Sequence, residues 1–298
     1  MTLQTFFPAA LDFLSGLDPG FQGLVLTWIT ILIIAVLLCF MVSEITGNYS
    51  QVDKLWSLLP PGYAWVTVAA FPSARTVIMA LLVTLWGLRL SYNFHRKGGY
   101  SIIPWKGEED YRWKILRDNP ALKGRLRFGL FNLLFISLYQ NIIILLFTTP
   151  ILMAALFAGA PLSIMDIAAA ILMLTFLVTE TISDNQQFRF QTLKRKMSGN
   201  EEVYSDSLKK GFLAEGLWKY VRHPNFASEQ AIWISFYLFS VAASGKWINF
   251  TLLGPVLLVI LFIGSSIMTE NISSSKYPEY TAYQKEVPKF IPRIFRRK

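Results

Sequence analysis

Glu180 and Asp184 stand four residues apart and Gln187 continues the same side of a helix, so two carboxyls and an amide share one face. Asn225, Glu229 and Trp233 repeat that spacing further along the chain. Carboxyls so placed can accept hydrogen bonds from a ligand, or pair with a base such as Arg89 as pure structure. Between the two sets lies a basic stretch holding Lys194, Arg195, Lys196, Lys209, Lys210, Lys219 and Arg222. Such groups can grip a phosphorylated cofactor, with arginine the better fork for phosphate, or lie against anionic lipid headgroups. The terminal Arg293, Arg296, Arg297 and Lys298 have the same two readings. His223 sits in Arg222-His223-Pro224-Asn225, where a lone loop histidine before proline reads first as structural. No Gly-x-Gly-x-x-Gly fingerprint, P-loop, serine–histidine–carboxylate elbow or His-Glu-x-x-His is present.

The elements that carry these residues follow from composition. Of 298 residues, 53% are apolar and only 16% charged, against roughly 25% charged in an average soluble domain. Mean hydropathy is +0.42. A chain so poor in charge cannot cover itself with polar surface, which excludes a soluble globular enzyme. The same apolar content excludes intrinsic disorder. One cysteine, Cys39, excludes a disulfide framework and a multi-thiolate metal site, and two histidines argue against a histidine-rich one. No metal is expected.

A bilayer core of about 30 Å takes roughly 20 apolar residues per helix. Seven stretches meet that need: about 24–43, 55–71, 76–95, 128–157, 164–183, 226–245 and 250–269. The second contains Pro60-Pro61-Gly62, which predicts a kinked or broken helix. The fourth is overlong and contains Pro150, which predicts a bend or a separate short piece. No basic residue precedes the first span, so a cleaved signal peptide is not expected. With seven spans and the N-terminus outside, 25 of the 28 Lys/Arg fall on the cytoplasmic side, as the positive-inside rule requires. That topology absorbs the net charge of +9 without nucleic acid. The expected fold is a single all-α, polytopic domain over 1–298 with a cytoplasmic C-terminus; oligomeric state is left open.

Ionisable side chains at bilayer depth are costly and need a partner or a function. In this topology Glu44, Asp53, Arg89, Asn93, Asn132, Glu180, Asp184, Asn225, Glu229 and Glu270 all lie in or near the cytoplasmic leaflet, and little beyond Asp166 lies in the outer one. Any one of them reads simply as a headgroup-level charge. Together they predict a polar cavity facing the cytoplasm.

The stretch Gly216-Leu217-Trp218-Lys219-Tyr220-Val221-Arg222-His223-Pro224-Asn225-Phe226, followed by Glu229 and Trp233, resembles the steroid 5α-reductase superfamily, and within it the bacterial branch DUF1295. Four further segments carry the likeness. They are Asp53 to Trp56, Trp86-Gly87-Leu88-Arg89-Leu90, Asp184 with Gln187 and Arg189, and Glu270 followed by Tyr277-Pro278, Tyr280, Tyr283-Gln284, Val287-Pro288 and Ile291-Pro292. The resemblance implies NADPH in the cavity and hydride transfer to the β-carbon of an enone, with a steroid as one candidate among flat apolar or lipid substrates. It places Asn225 and Glu229 at the nicotinamide end, and Asp184 with Glu180 (an asparagine in the family) at the ribose or adenosine portion. Arg222 and His223 join this cofactor set. The family's phosphate-binding arginine falls on Gly211, so Lys209 or Lys210 would substitute. The pair that polarises a steroid ketone is missing in strict register, with Asp53 and Tyr92 its nearest equivalents. Glu229, Asp53 and Tyr92 are therefore the expected catalytic residues. The branch implies a bacterial inner membrane.

Two other readings remain. The C-terminal half is similar to membrane methyltransferases that use S-adenosylmethionine. The missing ketone-polarising pair also suits a non-catalytic lipid-binding or assembly protein.

Overall fold

A computed structural model of the chain describes residues 16, 18–101, 103, 106–196 and 205–293, and among these every regular element is helical. Arg296, Arg297 and Lys298 lie outside the described residues. Five helices are long and apolar enough to cross a membrane: Pro19–Thr46, Ala74–Arg96, Arg125–Thr148, Ile164–Arg195 and Phe250–Lys276. The chain divides into two compact units, Met1–Asp166 with Phe239–Gly254, and Ile167–Leu238 with Pro255–Lys298. Each boundary falls at or within helical sequence rather than in a linker.

In the first unit, α1 (Pro19–Thr46) begins where Asp18 accepts from the N–H groups of Gly20 and Phe21 and Pro19 supplies a preset φ. It ends at Gly47, whose φ of 68° is left-handed and turns its N–H back to Ser43 O. Leu26, Ile33, Ile34, Leu37 and Leu38 stay exposed along it, as suits a helix whose solvent is hydrocarbon. A short α2 (Gln51–Trp56) leads into α3 (Leu59–Ala70), which has 12 residues. The expected span 55–71 is thus two short helices. Pro60 and Pro61 stand in the first turn of α3, where a missing N–H costs nothing, so they start a helix rather than kink one. Next comes α4 (Ala74–Arg96), opened by a reciprocal Ser73–Thr76 cap. A Cβ at Gly87 of α4 would come within 2.6 Å of Ser57 O and 2.8 Å of Pro61 Cγ. Glycine there allows the closest approach of the two chain segments. Trp86 beside it is fully buried, and Trp28 packs on Tyr63 with ring centroids 4.5 Å apart.

After α5 (Tyr111–Arg117), the next span is compound. It comprises α6 (Arg125–Phe131), a π-helical stretch Asn132–Tyr139, and α7 (Gln140–Thr148). Pro150 starts a separate α8 (Pro150–Leu156), the short piece expected of that proline. Arg75 and Asp166 make a buried ion pair, Nε to Oδ1 at 2.7 Å and Nη2 to Oδ2 at 3.0 Å. Arg75 also donates to the carbonyls of Ala160 and Pro161, so the connection before Ile164 is tied down.

The second unit holds most of α9 (Ile164–Arg195), then α10 (Asp206–Lys210), a 3₁₀ turn (Gly216–Lys219) and the start of α11 (Pro224–Ser244). It also holds most of α12 (Leu253–Lys276) and all of α13 (Tyr280–Glu286). With 21 residues α11 has spanning length, but Asn225, Glu229, Gln230 and several serines keep it out of the most apolar group. Away from the long helices, Phe212, Tyr280 and Tyr283 form a small aromatic core, with Phe212 and Tyr280 edge to face at 5.0 Å.

Candidate functional site

The end of α9 and the start of α11 are brought together by the turn between them. Gly216, at φ 61°, passes against the Gln186 amide, and Leu217 N–H donates to Gln186 Oε1 at 3.0 Å. Trp218 Nε1 donates to Ser183 O at 3.3 Å. This docking sets Asn225 beside Asp184, with Asn225 Nδ2 3.4 Å from Asp184 Oδ1. Glu180 lies one helical turn before Asp184, and Glu229 one turn after Asn225; Glu180, Asp184 and Glu229 are all buried. Glu229 Oε1 accepts from the indole N–H of fully buried Trp233 at 2.9 Å. Two amide oxygens in this region, Asn225 Oδ1 and Gln187 Oε1, are buried and accept no hydrogen bond from the described residues. Asn225 and Asp184 thus meet, and Glu180, Gln187 and Glu229 lie within about one helical turn of them along the same two helices. Together they offer acceptors to N–H or O–H donors.

Arg222 and His223, adjacent in sequence to Asn225, are engaged differently. Arg222 Nε donates to Glu270 Oε1 at 2.8 Å, and its Nη1 reaches the carbonyls of Gln284 and Val287. His223 Nε2 lies 2.9 Å from the same carboxylate oxygen, while Lys289 Nζ and Gln284 Nε2 approach Glu270 Oε2 at 3.4 and 3.3 Å. The backbone joins in, with Arg222 N–H donating to Pro288 O and His223 N–H to Lys289 O. Glu270 is the hub of a closed set that ties segment 284–289 to the start of α11.

On the basic side, Lys209 is exposed, and Lys210 donates to Asp206 at 2.6 Å, a hydrogen bond that pushes its ammonium pKa up. Gly211 caps α10 at φ 81°, with Tyr277 against it. An arginine would be strained in this backbone conformation. Lys194 donates to Gly211 O and, at 2.7 Å, to Tyr277 OH, so that cation is held within the fold. Glu215 accepts from Ser207 N–H at 3.0 Å, which lowers its carboxyl pKa.

Asp53 and Tyr92 lie in the first unit. Asp53 turns inward, accepting from Trp113 Nε1 at 2.8 Å. Burial pushes its carboxyl pKa up, opposed by the Arg112 guanidinium. That guanidinium grips Asp110 with two hydrogen bonds, of 2.8 and 3.0 Å. Tyr92 turns outward, 64% exposed, with Arg96 5.5 Å over its ring. Lys54, counted above with the cytoplasmic loop charges, is instead buried and donates to Gln51 Oε1.

Three buried contacts were invisible to sequence reasoning: the Glu270 hub, the Trp113–Asp53 bond and the Arg75–Asp166 pair. The only prior signal was that Glu270 and Asp166 are carboxyls within apolar runs. Among the described residues no group of three His, Cys, Asp or Glu could hold a metal ion.

With every regular element helical among the described residues, and five of those helices apolar and of spanning length, the chain is an integral membrane protein. Residues 39–287 match the family described as protein of unknown function (DUF1295), and the chain belongs to it. The uncharacterized protein C594.04c of Schizosaccharomyces pombe is 35% identical over 295 residues, covering 95% of this chain and 82% of its own length. No solved structure gives a significant match.

Proposed function

We propose that this chain is a membrane-embedded, NADPH-dependent reductase of an activated C=C bond in an apolar, steroid-like or other enone lipid. The observation that carries the reading is the pair of buried amide oxygens, Asn225 Oδ1 and Gln187 Oε1, that accept nothing from the described residues. An unsatisfied buried acceptor costs about 1–3 kcal/mol, which donors on a ligand would recover. A carboxamide and ribose hydroxyls are such donors. Asn225 and Glu229 would then hold the nicotinamide end, and Asp184 with Glu180 the ribose or adenosine portion. The same carboxyls repel phosphate, so the cofactor's phosphates belong toward Lys209 and Lys210. Arg222 and His223 would act by fixing the start of α11, since both are engaged with Glu270. A bound reduced nicotinamide would supply the hydride. The resemblance gives Asp53 and Tyr92 as the nearest equivalents of the pair that polarises the ketone, with solvent supplying the other proton. The cofactor part of the reading rests on residues of the second unit alone.

One observation favours a second reading. Three buried carboxyls attract a cation, and S-adenosylmethionine carries a sulfonium and an ammonium. Calorimetric or tryptophan-fluorescence titration of the detergent-purified protein with NADPH, NADH and S-adenosylmethionine separates the two. Saturable binding of NADPH, tighter than NADH, is expected. Binding of S-adenosylmethionine alone would transfer the site to the methyltransferase reading, and binding of none would favour the non-catalytic one.

Seven spans, an outside N-terminus, a cytoplasm-facing cavity and a bacterial inner membrane belong to the same proposal, although the fission yeast relative means that kin of this chain are not confined to bacteria. A cytoplasm-only fluorescent reporter fused after the last residue should give signal. A dark but stably inserted fusion would overturn that orientation.

A further inference from the structure

An open groove of about 480 Å³ lies in the first unit where the end of α1 meets α6 and the first π-helical residues. Its size is within the roughly 300–1,000 Å³ of small-molecule sites. Its walls are Phe40, Leu126, Leu130 and Leu133, and its polar groups are Glu44 and Arg125. The polar pair sits near the ends of two spanning helices, Pro19–Thr46 and Arg125–Thr148, the depth at which apolar tails give way to headgroups. Leu126 and Leu130 are 86% and 56% exposed, so the groove opens to whatever surrounds those helices.

Glu44 is oriented from within. Asn132 Nδ2, at the first π-helical residue, donates to Glu44 Oε1 at 2.8 Å. Across from it Gly129 leaves space. A Cβ there would lie 3.8 and 3.9 Å from the two carboxylate oxygens. One fixed carboxylate and one arginine over an apolar trough complement an ion pair of the opposite polarity on an acyl chain. We propose that this groove binds one aminophospholipid with a phosphoethanolamine headgroup, its ammonium on Glu44, its phosphate on Arg125 and a chain along Phe40, Leu126, Leu130 and Leu133. The primary ammonium is essential to the match. It offers N–H donors to a carboxylate, whereas the choline headgroup of an otherwise equal lipid offers none. An anionic phosphatidylglycerol would meet the arginine but be repelled by Glu44.

The test is native mass spectrometry of the purified full chain in the presence of equal phosphatidylethanolamine, phosphatidylcholine and phosphatidylglycerol with identical acyl chains. One phosphatidylethanolamine should be retained at least about tenfold over phosphatidylcholine, the scale of one charge-assisted hydrogen bond. Glu44→Gln keeps an acceptor for Asn132 but should bring that ratio close to one. Arg125→Ala should weaken both zwitterionic lipids alike. Gly129→Leu fills the trough and should release all three lipids, whereas Gly129→Ala adds a methyl at ordinary contact distance and should retain phosphatidylethanolamine. Equal retention of ethanolamine and choline lipids by the unaltered chain would overturn the proposal. So would a preference for phosphatidylglycerol, a second copy of the chain in place of lipid, or unchanged retention by Gly129→Leu. If Gly129→Leu does not fold, the ratios in Glu44→Gln and exposed Arg125→Ala still decide.

Discussion

Two polar clusters in the second unit meet within residues 222–225 and differ in kind. At Arg222 and His223 every contact closes inward. One carboxylate, Glu270, meets a guanidinium, an imidazole and an ammonium, and Gln284, Val287, Pro288 and Lys289 supply the remaining bonds. At Asn225 the bookkeeping stays open, with a long 3.4 Å contact to Asp184 and oxygens on Asn225 and Gln187 that accept nothing. A satisfied buried cluster holds a fold together, and one left with open buried acceptors has room for donors from outside the chain, water or ligand. Residues that share a motif thus divide into a clamp and a receptor. The charged pair belongs to the clamp, and the amide that follows belongs to the receptor.

The largest effect should come from breaking the clamp. Glu270→Ala leaves Arg222 and its cationic neighbours without their buried carboxylate, which typically costs about 3–5 kcal/mol. Thermal unfolding in detergent should show a large drop or loss of soluble protein, whichever ligand is added. Unchanged stability would dissolve the distinction between the two clusters. Next in size, Glu229→Gln keeps an oxygen for the Trp233 indole and removes the charge. The mutant should insert and unfold like the parent while binding NADPH at least about tenfold more weakly, a charge-assisted hydrogen bond being worth about 1.5–3 kcal/mol. A mutant that aggregates instead would move Glu229 into the clamp.

Gln187→Met sharpens the comparison from the other side. It replaces an amide by an apolar chain of similar shape and removes an oxygen that accepts nothing. The ligand-free protein should be no less stable, and more stable by about 1 kcal/mol if burial of that oxygen is a true cost. Cofactor binding should weaken in the same mutant. A fall in ligand-free stability without any change in binding would mean that Gln187 is structural.

What could be read from the sequence was whatever local spacing determines. The long apolar runs and the shared faces of Glu180 with Asp184 and of Asn225 with Glu229 follow from periodicity alone. Partner choice was not legible. Glu270 lies 48 residues from Arg222, and Asp53 lies 60 from Trp113, and nothing in either neighbourhood names the other. Gly87 was noticed as part of a family-like string, but its reason is steric, the passage of Ser57 and Pro61 across it. In residues 55–71 the proline pair marked a break that the structure has, although the break falls just before it and the prolines start a 12-residue helix. The π-helical stretch Asn132–Tyr139 gave no signal, since Leu and Phe runs read the same in either helix.

The smallest expected effect concerns the basic side of the receptor. Lys209 is exposed, and Lys210 is bound to Asp206 in an i,i+4 pair whose acid partner is 71% exposed. Exposed pairs of this type contribute about 0.3–0.5 kcal/mol, so replacing both lysines with alanine should hardly move the unfolding temperature. Their importance would show only against phosphate. NADPH differs from NADH by one phosphate group, and lysines near a protein surface attract it through partly screened charge. The double mutant should therefore lose a few-fold in affinity for NADPH and little for NADH, and the difference should shrink as salt is raised. Equal weakening of both cofactors would mean that the lysines serve the fold or face lipid. No weakening of either would place the cofactor's extra phosphate elsewhere and leave the acceptor cluster at Asn225 and Gln187 as the whole of the recognised site.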